Sequence, residues 1–525
     1  MIPSLIVTDL SRFQFAFTAI FHFLFVPLTL GLTWLLVVME AAYLKTGKPI
    51  YKDMTQFWGK LLAINFAIGV ISGITMEFEF GLNWSYFSRL IGGSFGPILA
   101  IEGITAFMLE ATMFGLFFFT WKKVSRRTHF IITLFMALGA SLSIVNILAA
   151  NSWMQHPTHT VFNYTNMTME LTSMLGLYLS SLAQIRVGHV LFAGFLVSSM
   201  FVMGISAFYL LQGRDIGFAK RSFSIGASFA LLATLLVAFF GDQNGLQVSK
   251  YEPEKMAAIE AQWETQKAPA AWYLIAFPNQ KEEKNYFTLQ IPYALSLIAT
   301  HSLTGTVEGA KPIIASYIPK VKNGIIAYTA LQKIWNKSAT QRDRMAFEKY
   351  KSDIGYALLL KRYLKQIDKA TPAQITQAAK DAIPNVATAF WSFRFMIGLW
   401  GIAALLIILG YVFSRNNTLT QHRWYCYAIL YAIPLPYLSA EFGWVLAEVG
   451  RQPWVVHQYL PTFFGTSSLT LSDVITSLVF FILFYATLIS VELFLMFKFA
   501  RQGPSCLGTG HYHFETSTAQ GASHD

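Results

Sequence analysis

Nine apolar runs, near 13–38, 61–80, 98–120, 128–150, 187–211, 222–240, 388–413, 424–448 and 472–497, constrain this 525-residue chain more than any other feature. Runs of about 20 apolar residues cross a bilayer as helices, because the hydrocarbon holds no water to satisfy a free backbone. The expected fold is an all-α polytopic membrane protein with nine transmembrane helices. The first run does not read as a cleaved signal, since Asp9 rather than a lysine precedes it and no small-residue cleavage site closes it.

Lys45, Lys48, Lys52, Lys60, Lys122, Lys123, Arg126, Arg127, Arg214, Lys220, Arg221, Arg415, Arg423, Lys498 and Arg501 gather at alternate ends of the runs, against Arg12, Arg89, Arg186 and Arg451 at the others. By the positive-inside rule the N-terminus is expected outside and the C-terminus in the cytoplasm. Residues 241–386 are much richer in charge and are expected to form a large periplasmic loop between helices 6 and 7. The expected organisation is thus 1–240 as six helices, 241–386 as the loop, 387–500 as three helices and 501–525 as a cytoplasmic tail. Within the loop, 253–263 and 345–367 read as amphipathic helices. The net charge of +11 is dispersed over connections, which fits membrane orientation and not a nucleic-acid surface. Cys426 and Cys506 are too few and too scattered for a disulfide framework or a thiolate metal site.

Inside the runs the ionisable residues are few: His22, Glu77, Glu79, Glu102, Glu110, His189, Arg394, Glu441, Glu448 and Glu492. A carboxylate at bilayer depth costs about 2.5 kcal/mol or more, so each marks a functional site by default. Residues 434–454 hold Glu441 and Glu448 and then end in Gly450-Arg451-Gln452-Pro453-Trp454. On a helix these acids lie about 20° apart in azimuth and roughly 10 Å apart along one face, and they are expected to meet the same neighbour. Histidine binds haem iron, and a His plus Met pair makes the six-coordinate, electron-transfer type of site. Met396 lies at a depth similar to His189 and two residues beyond Arg394, a cation able to pair with a propionate. The residues alone support an intramembrane redox protein or an ion-coupled transporter using Glu102, Glu110, Glu441 and Glu448. Two related halves with interrupted helices, which a transporter would show, are not evident, and a scaffold has no need of buried charges.

The segments His22-Phe23-Leu24-Phe25-Val26-Pro27-Leu28-Thr29, Trp58-Gly59-Lys60, Thr75-Met76-Glu77-Phe78 with Gly81, Asn83, Trp84 and Ser85, and Gly450-Arg451-Gln452-Pro453-Trp454 carry a resemblance. Across essentially its whole length the chain is similar to subunit I of the cytochrome bd family of quinol oxidases, in its long quinol-loop branch. The resemblance implies a terminal respiratory oxidase of the bacterial inner membrane. Such an enzyme oxidises quinol outside, reduces dioxygen to water with cytoplasmic protons, and generates proton motive force without pumping. It implies a low-spin haem b on His189 and Met396, and a high-spin haem b and haem d held by His22 and Glu448, with haem d assigned here to His22. Arg394, Trp444, Glu441 and Arg451 are implied in the haem environment, Glu102, Glu110 and Ser143 on the proton route with Ser141 beside it, and Lys255 and Glu260 at the quinol. The partners implied are subunit II and a small single-span subunit.

Overall fold

The computed structural model describes residues 4–164 and 166–504; Cys506 and the tail beyond it lie outside them. Among the described residues, nine stretches are long and apolar enough to cross a membrane. The first is a kinked pair, α1 (Leu5–Phe23) and α2 (Val26–Thr46), followed by α3 (Pro49–Leu82). The kink has a local cause, because Pro27 supplies no N–H and its ring displaces the carbonyl one turn earlier. The third stretch joins α4 (Ser85–Ile101) to α5 (Met108–Phe119) through a π-helical segment, Glu102–Phe107. The fourth is α6 (Arg126–Gln155). A two-stranded ribbon, β1 (Thr160–Asn163) with β2 (Thr168–Leu171), and a short α7 (Met174–Tyr178) then lead into α8 (Ser181–Gln212) and α9 (Ile216–Tyr251).

The 241–386 segment is a folded module. Its first residues, to Tyr251, still belong to α9, which runs past the expected boundary at 240, and the rest begins with α10 (Pro253–Ile259), a hairpin of β3 (Trp272–Asn279) and β4 (Lys284–Ile291), and α11 (Ala294–Thr300). The 26-residue α12 (Ala310–Trp335) follows, packed by α13 (Gln341–Tyr350), α14 (Ile354–Leu358) and α15 (Pro372–Asp381). The seventh span is α16 (Val386–Arg415), and the eighth is α17 (Arg423–Tyr431) plus α18 (Pro434–Val449), broken where two prolines enter. A ribbon of β5 (Trp454–Val456) with β6 (Leu460–Pro461), the short α19 (Thr462–Gly465) and the last span, α20 (Leu471–Gln502), complete the chain.

Two loop expectations are corrected. The helix expected over 253–263 ends at Ile259, and Glu254 through Ile259 are all buried, so it is enclosed and not amphipathic. The helix expected over 345–367 is instead a helix to Tyr350, two 3-10 turns and α14, while the long α12 ahead of it was not anticipated. Two cores result. One fills the end of the bundle away from the module, around Leu32, Leu36, Trp58, Met200 and Phe218. The other joins the module to the spans, with Val321, Tyr356 and Leu360 packed in one cluster with Phe390, Leu446 and Trp454. The module is therefore continuous with the bundle, and Lys255, Glu260 and Arg394 lie along that junction.

Candidate functional site

Three of the four side chains assigned to iron lie against a glycine on a neighbouring helix. A Cβ on Gly73 of α3 would come within 3.2 Å of the His22 ring, one on Gly241 of α9 within 3.1 Å of the His189 ring, and one on Gly443 of α18 within 3.2 Å of the Met396 sulfur. Hydrogen bonds orient the rings. Ser72 Oγ donates to the Gly69 carbonyl at 3.0 Å and so accepts from His22 Nδ1 at 3.0 Å, while His189 Nδ1 donates to the Val237 carbonyl at 3.2 Å. Both assignments leave Nε2 with its lone pair, as a ligating histidine requires. The Met396 backbone is held by Ser439, whose hydroxyl donates to its carbonyl at 2.8 Å.

Glu448 ends α18 with both oxygens bonded. Asn151 Nδ2 donates to Oε1 at 2.9 Å and Arg451 pairs with Oε2, yet the side chain remains 34% accessible. Four positions earlier Trp444 packs edge-on against Phe23, beside His22, with ring centroids 5.2 Å apart. Glu441 does not share the polar neighbour of Glu448, and its buried Oε2 has no partner among the described residues. Also among those residues, no three His, Cys, Asp or Glu side chains converge to form a metal cage. Isolated donors, three of them packed against a glycine, suit a metal that brings its own further ligands, as porphyrin iron does.

The expected quinol residues are both buried, Lys255 being 3% and Glu260 2% exposed. They tie α10 to different parts of the bundle. Lys255 Nζ donates to Gln155 Oε1 at 2.7 Å and to Glu252 Oε2 at 3.1 Å, and Glu252 Oε1 accepts from Arg186 Nη2 at 3.0 Å. Burial lowers the Lys255 ammonium below the ordinary lysine value, against the pull of Glu252. Burial opposes ionisation of Glu252 too, but Lys255 and Arg186 together bring its carboxyl below the usual range. Glu260 pairs with Arg394 Nη2 at 2.7 Å, and the same guanidinium donates to the Ile259 and Tyr273 carbonyls. Arg394, two residues before Met396, thus has a buried anionic partner in Glu260.

The acids expected on the proton route behave differently. Ser143 Oγ donates to Glu102 Oε1 at 2.7 Å, so two of the three meet. Glu102 opens the π-helical segment, a deformation that recurs at functional sites. Glu110 is buried with no partner on Oε1 among the described residues, its backbone packed against Gly139. Ser141 accepts instead from Trp34 Nε1 at 2.9 Å.

Sequence reasoning missed several polar residues. Arg186, counted among exposed loop bases, is buried; it lies one turn before His189, which was the available signal. Glu254 accepts from His457 at 2.6 Å and from Tyr317 at 2.7 Å, and these bonds with the His457 charge hold its carboxyl low although burial raises it. Glu40 and His129 form a buried pair at 2.6 Å near the other end of the bundle.

A family model described as cytochrome bd terminal oxidase subunit I matches residues 10–504. The chain is 43% identical over 501 residues to cytochrome bd-II ubiquinol oxidase subunit 1 of Escherichia coli (strain K12), covering 95% of this chain and 98% of that one. It is 33% identical over 495 residues to cytochrome bd ubiquinol oxidase subunit 1 of Bacillus subtilis (strain 168), covering 94% and 93%. Its fold is that of a chain in the structure of bd oxidase from Geobacillus thermodenitrificans, with a TM-score of 0.75 at 22% identity over 95% of this chain and 99% of that one.

Proposed function

The chain belongs to the cytochrome bd terminal oxidase subunit I family, whose members are quinol-oxidising, dioxygen-reducing enzymes of the bacterial inner membrane, and from that premise we propose how its buried residues divide the work. Family membership replaces the transporter reading, and it implies b- and d-type haems, quinol as substrate and a subunit II partner. His189 and Met396 hold the low-spin haem b, His22 holds haem d, and Glu448 holds the high-spin haem b. The haems, when bound, supply electron transfer and the reduction of dioxygen to water. The observation that carries the ligand set is the triple of glycine cradles, two of them with Nδ1 already engaged.

The 241–386 module is the long form of the quinol loop and lies outside, with the basic connections in the cytoplasm. Lys255 orients a quinol oxygen by donating a hydrogen bond, and Glu260 accepts a proton as the quinol is oxidised, with Arg394 holding that carboxylate beside the helix that bears Met396. Protons for water enter from the cytoplasm by Glu110 and pass Ser143 and Glu102. Trp444 keeps α1 and α18 in register so that His22 and Glu448 address neighbouring sites, and Glu441 and Arg451 complete their surroundings. Charge thus crosses the membrane without a pump, each unit being worth about 2.3 kcal/mol per 100 mV.

Reduced-minus-oxidised and carbon-monoxide difference spectra of the purified complex test the reading. It expects b-type bands beside a red-region chlorin band that shifts with carbon monoxide. Only b-type bands would remove haem d from His22, and a colourless preparation would overturn the ligand set. In Lys255→Ala, quinol oxidation is expected to fall with the haem spectra intact; loss of all haem would instead assign the loop a folding role.

A further inference from the structure

The loop lysine and the carboxylate at the end of α18 are joined by an unbroken run of hydrogen bonds through two amides. Lys255 Nζ donates to Gln155 Oε1 at 2.7 Å, Gln155 Nε2 to Asn151 Oδ1 at 3.1 Å, and Asn151 Nδ2 to Glu448 Oε1 at 2.9 Å. All three bonds point the same way, from ammonium to carboxylate, so each polarises the next. Asn151 and Gln155 are one turn apart on α6 and share a face, and Gln155 is 1% exposed. The loop also closes directly on this corner, since a Cβ at Gly450 would come within 2.8 Å of the Lys255 stem.

Carboxamides neither gain nor lose protons near neutral pH, so this run carries polarisation and not protons. We propose that Asn151 and Gln155 are positioning residues that couple occupancy of the quinol site at Lys255 to the set of Glu448, so that docking at the loop is felt at the high-spin site. The inference rests on the reading of Lys255 and Glu448 given above. A quinol oxygen that engages Lys255 competes for the ammonium hydrogens, weakens the bond to Gln155 and thereby the one that Glu448 accepts. Arg451 on the other oxygen of Glu448 then takes the larger share of the carboxylate.

The test is a linkage measurement that does not depend on turnover. A 2-alkyl-4-hydroxyquinoline N-oxide serves as a non-oxidisable mimic of the quinol head, and carbon monoxide reports on the high-spin site. In the parent complex, saturating N-oxide is expected to change the carbon monoxide dissociation constant by about five-fold or more, and carbon monoxide to change the N-oxide affinity by the same factor. In Gln155→Met, of similar shape but without donor or acceptor, that ratio is expected to fall to one while the N-oxide still perturbs the low-spin band. Gln155→Glu, which keeps the acceptor for Lys255 and loses the donor to Asn151, is expected to uncouple in the same way and serves if Gln155→Met fails to assemble. Coupling that survives in both variants overturns the proposal, as does its absence in a parent that binds both ligands. A parent that binds no carbon monoxide overturns the haem assignment itself, a distinct failure.

Discussion

Buried acids at the loop junction and buried acids within the bundle are solved in opposite ways. At the junction every one has a basic partner: Glu252 has Lys255 and Arg186, Glu260 has Arg394, Glu254 has His457, and Glu448 has Arg451. Within the spans, Glu79, Glu110, Glu441 and Glu492 each keep a buried oxygen with no partner among the described residues, and Glu102 has only a serine. A paired buried ion is a clamp whose loss exposes an uncompensated charge, whereas an acid without a cation is free to exchange protons with its surroundings. Substitutions that leave a junction acid with no cation should therefore act on assembly and those in the bundle on turnover, whereas Lys255→Ala leaves Glu252 its Arg186 partner.

The largest effect is expected for Arg394→Met, which strands Glu260: a loss of about 3–5 kcal/mol in stability, read as a lower thermal midpoint. Arg394→Met combined with Glu260→Gln should recover much of it, and no recovery would mean that Arg394 matters for its packing over Phe390, not for its charge. Glu110→Gln sharpens the other side, because it keeps shape and burial but removes the exchangeable proton. Turnover should fall roughly 100-fold while the thermal midpoint and the quinol-reduced low-spin spectrum stay as in the parent. A smaller effect, about 1.5–3 kcal/mol at neutral pH, is expected for Glu254→Gln, which loses the charge-assisted bond from His457. Because the folded state holds the Glu254 carboxyl below its ordinary value, that advantage is present above the usual carboxylate range of about 4.3 and disappears as pH falls through the lower folded value. Thermal midpoints of parent and variant should therefore converge on acidification; a gap that widens would reverse the sign. The smallest is Ser143→Ala, where a several-fold drop in turnover without spectral change is expected, since water can replace the hydroxyl at Glu102.

The nine spans were legible because length and apolarity alone decide them, and His22 and His189 stood out against that background, whereas Met396, one of 17 methionines, was marked only by its depth near that of His189 and by the resemblance. The interruptions were not. Pro27 and Pro434 are plain in the sequence, but the π-helical segment that opens at Glu102 packs against α6, which nothing local announces. The loop resisted reading because α10 is enclosed on all sides, which removes the periodicity that exposes a helix. Arg186 and Glu252 are 66 residues apart, so nothing local announces their pair. Gly73, Gly241 and Gly443 are ordinary residues for membrane helices until the side chain facing each is known.

The central claim is that the ligands are divided between a low-spin site on α8 and α16 and an oxygen-binding site on α1 and α18. Carbon-monoxide difference spectra of the purified Met396→Leu complex, recorded beside its reduced-minus-oxidised spectrum, test it most directly. The account predicts that the low-spin b-type signal is lost while the carbon monoxide bands of the oxygen-binding site persist. A low-spin signal identical to the parent's, or loss of both signals in a complex that still assembles, would contradict it.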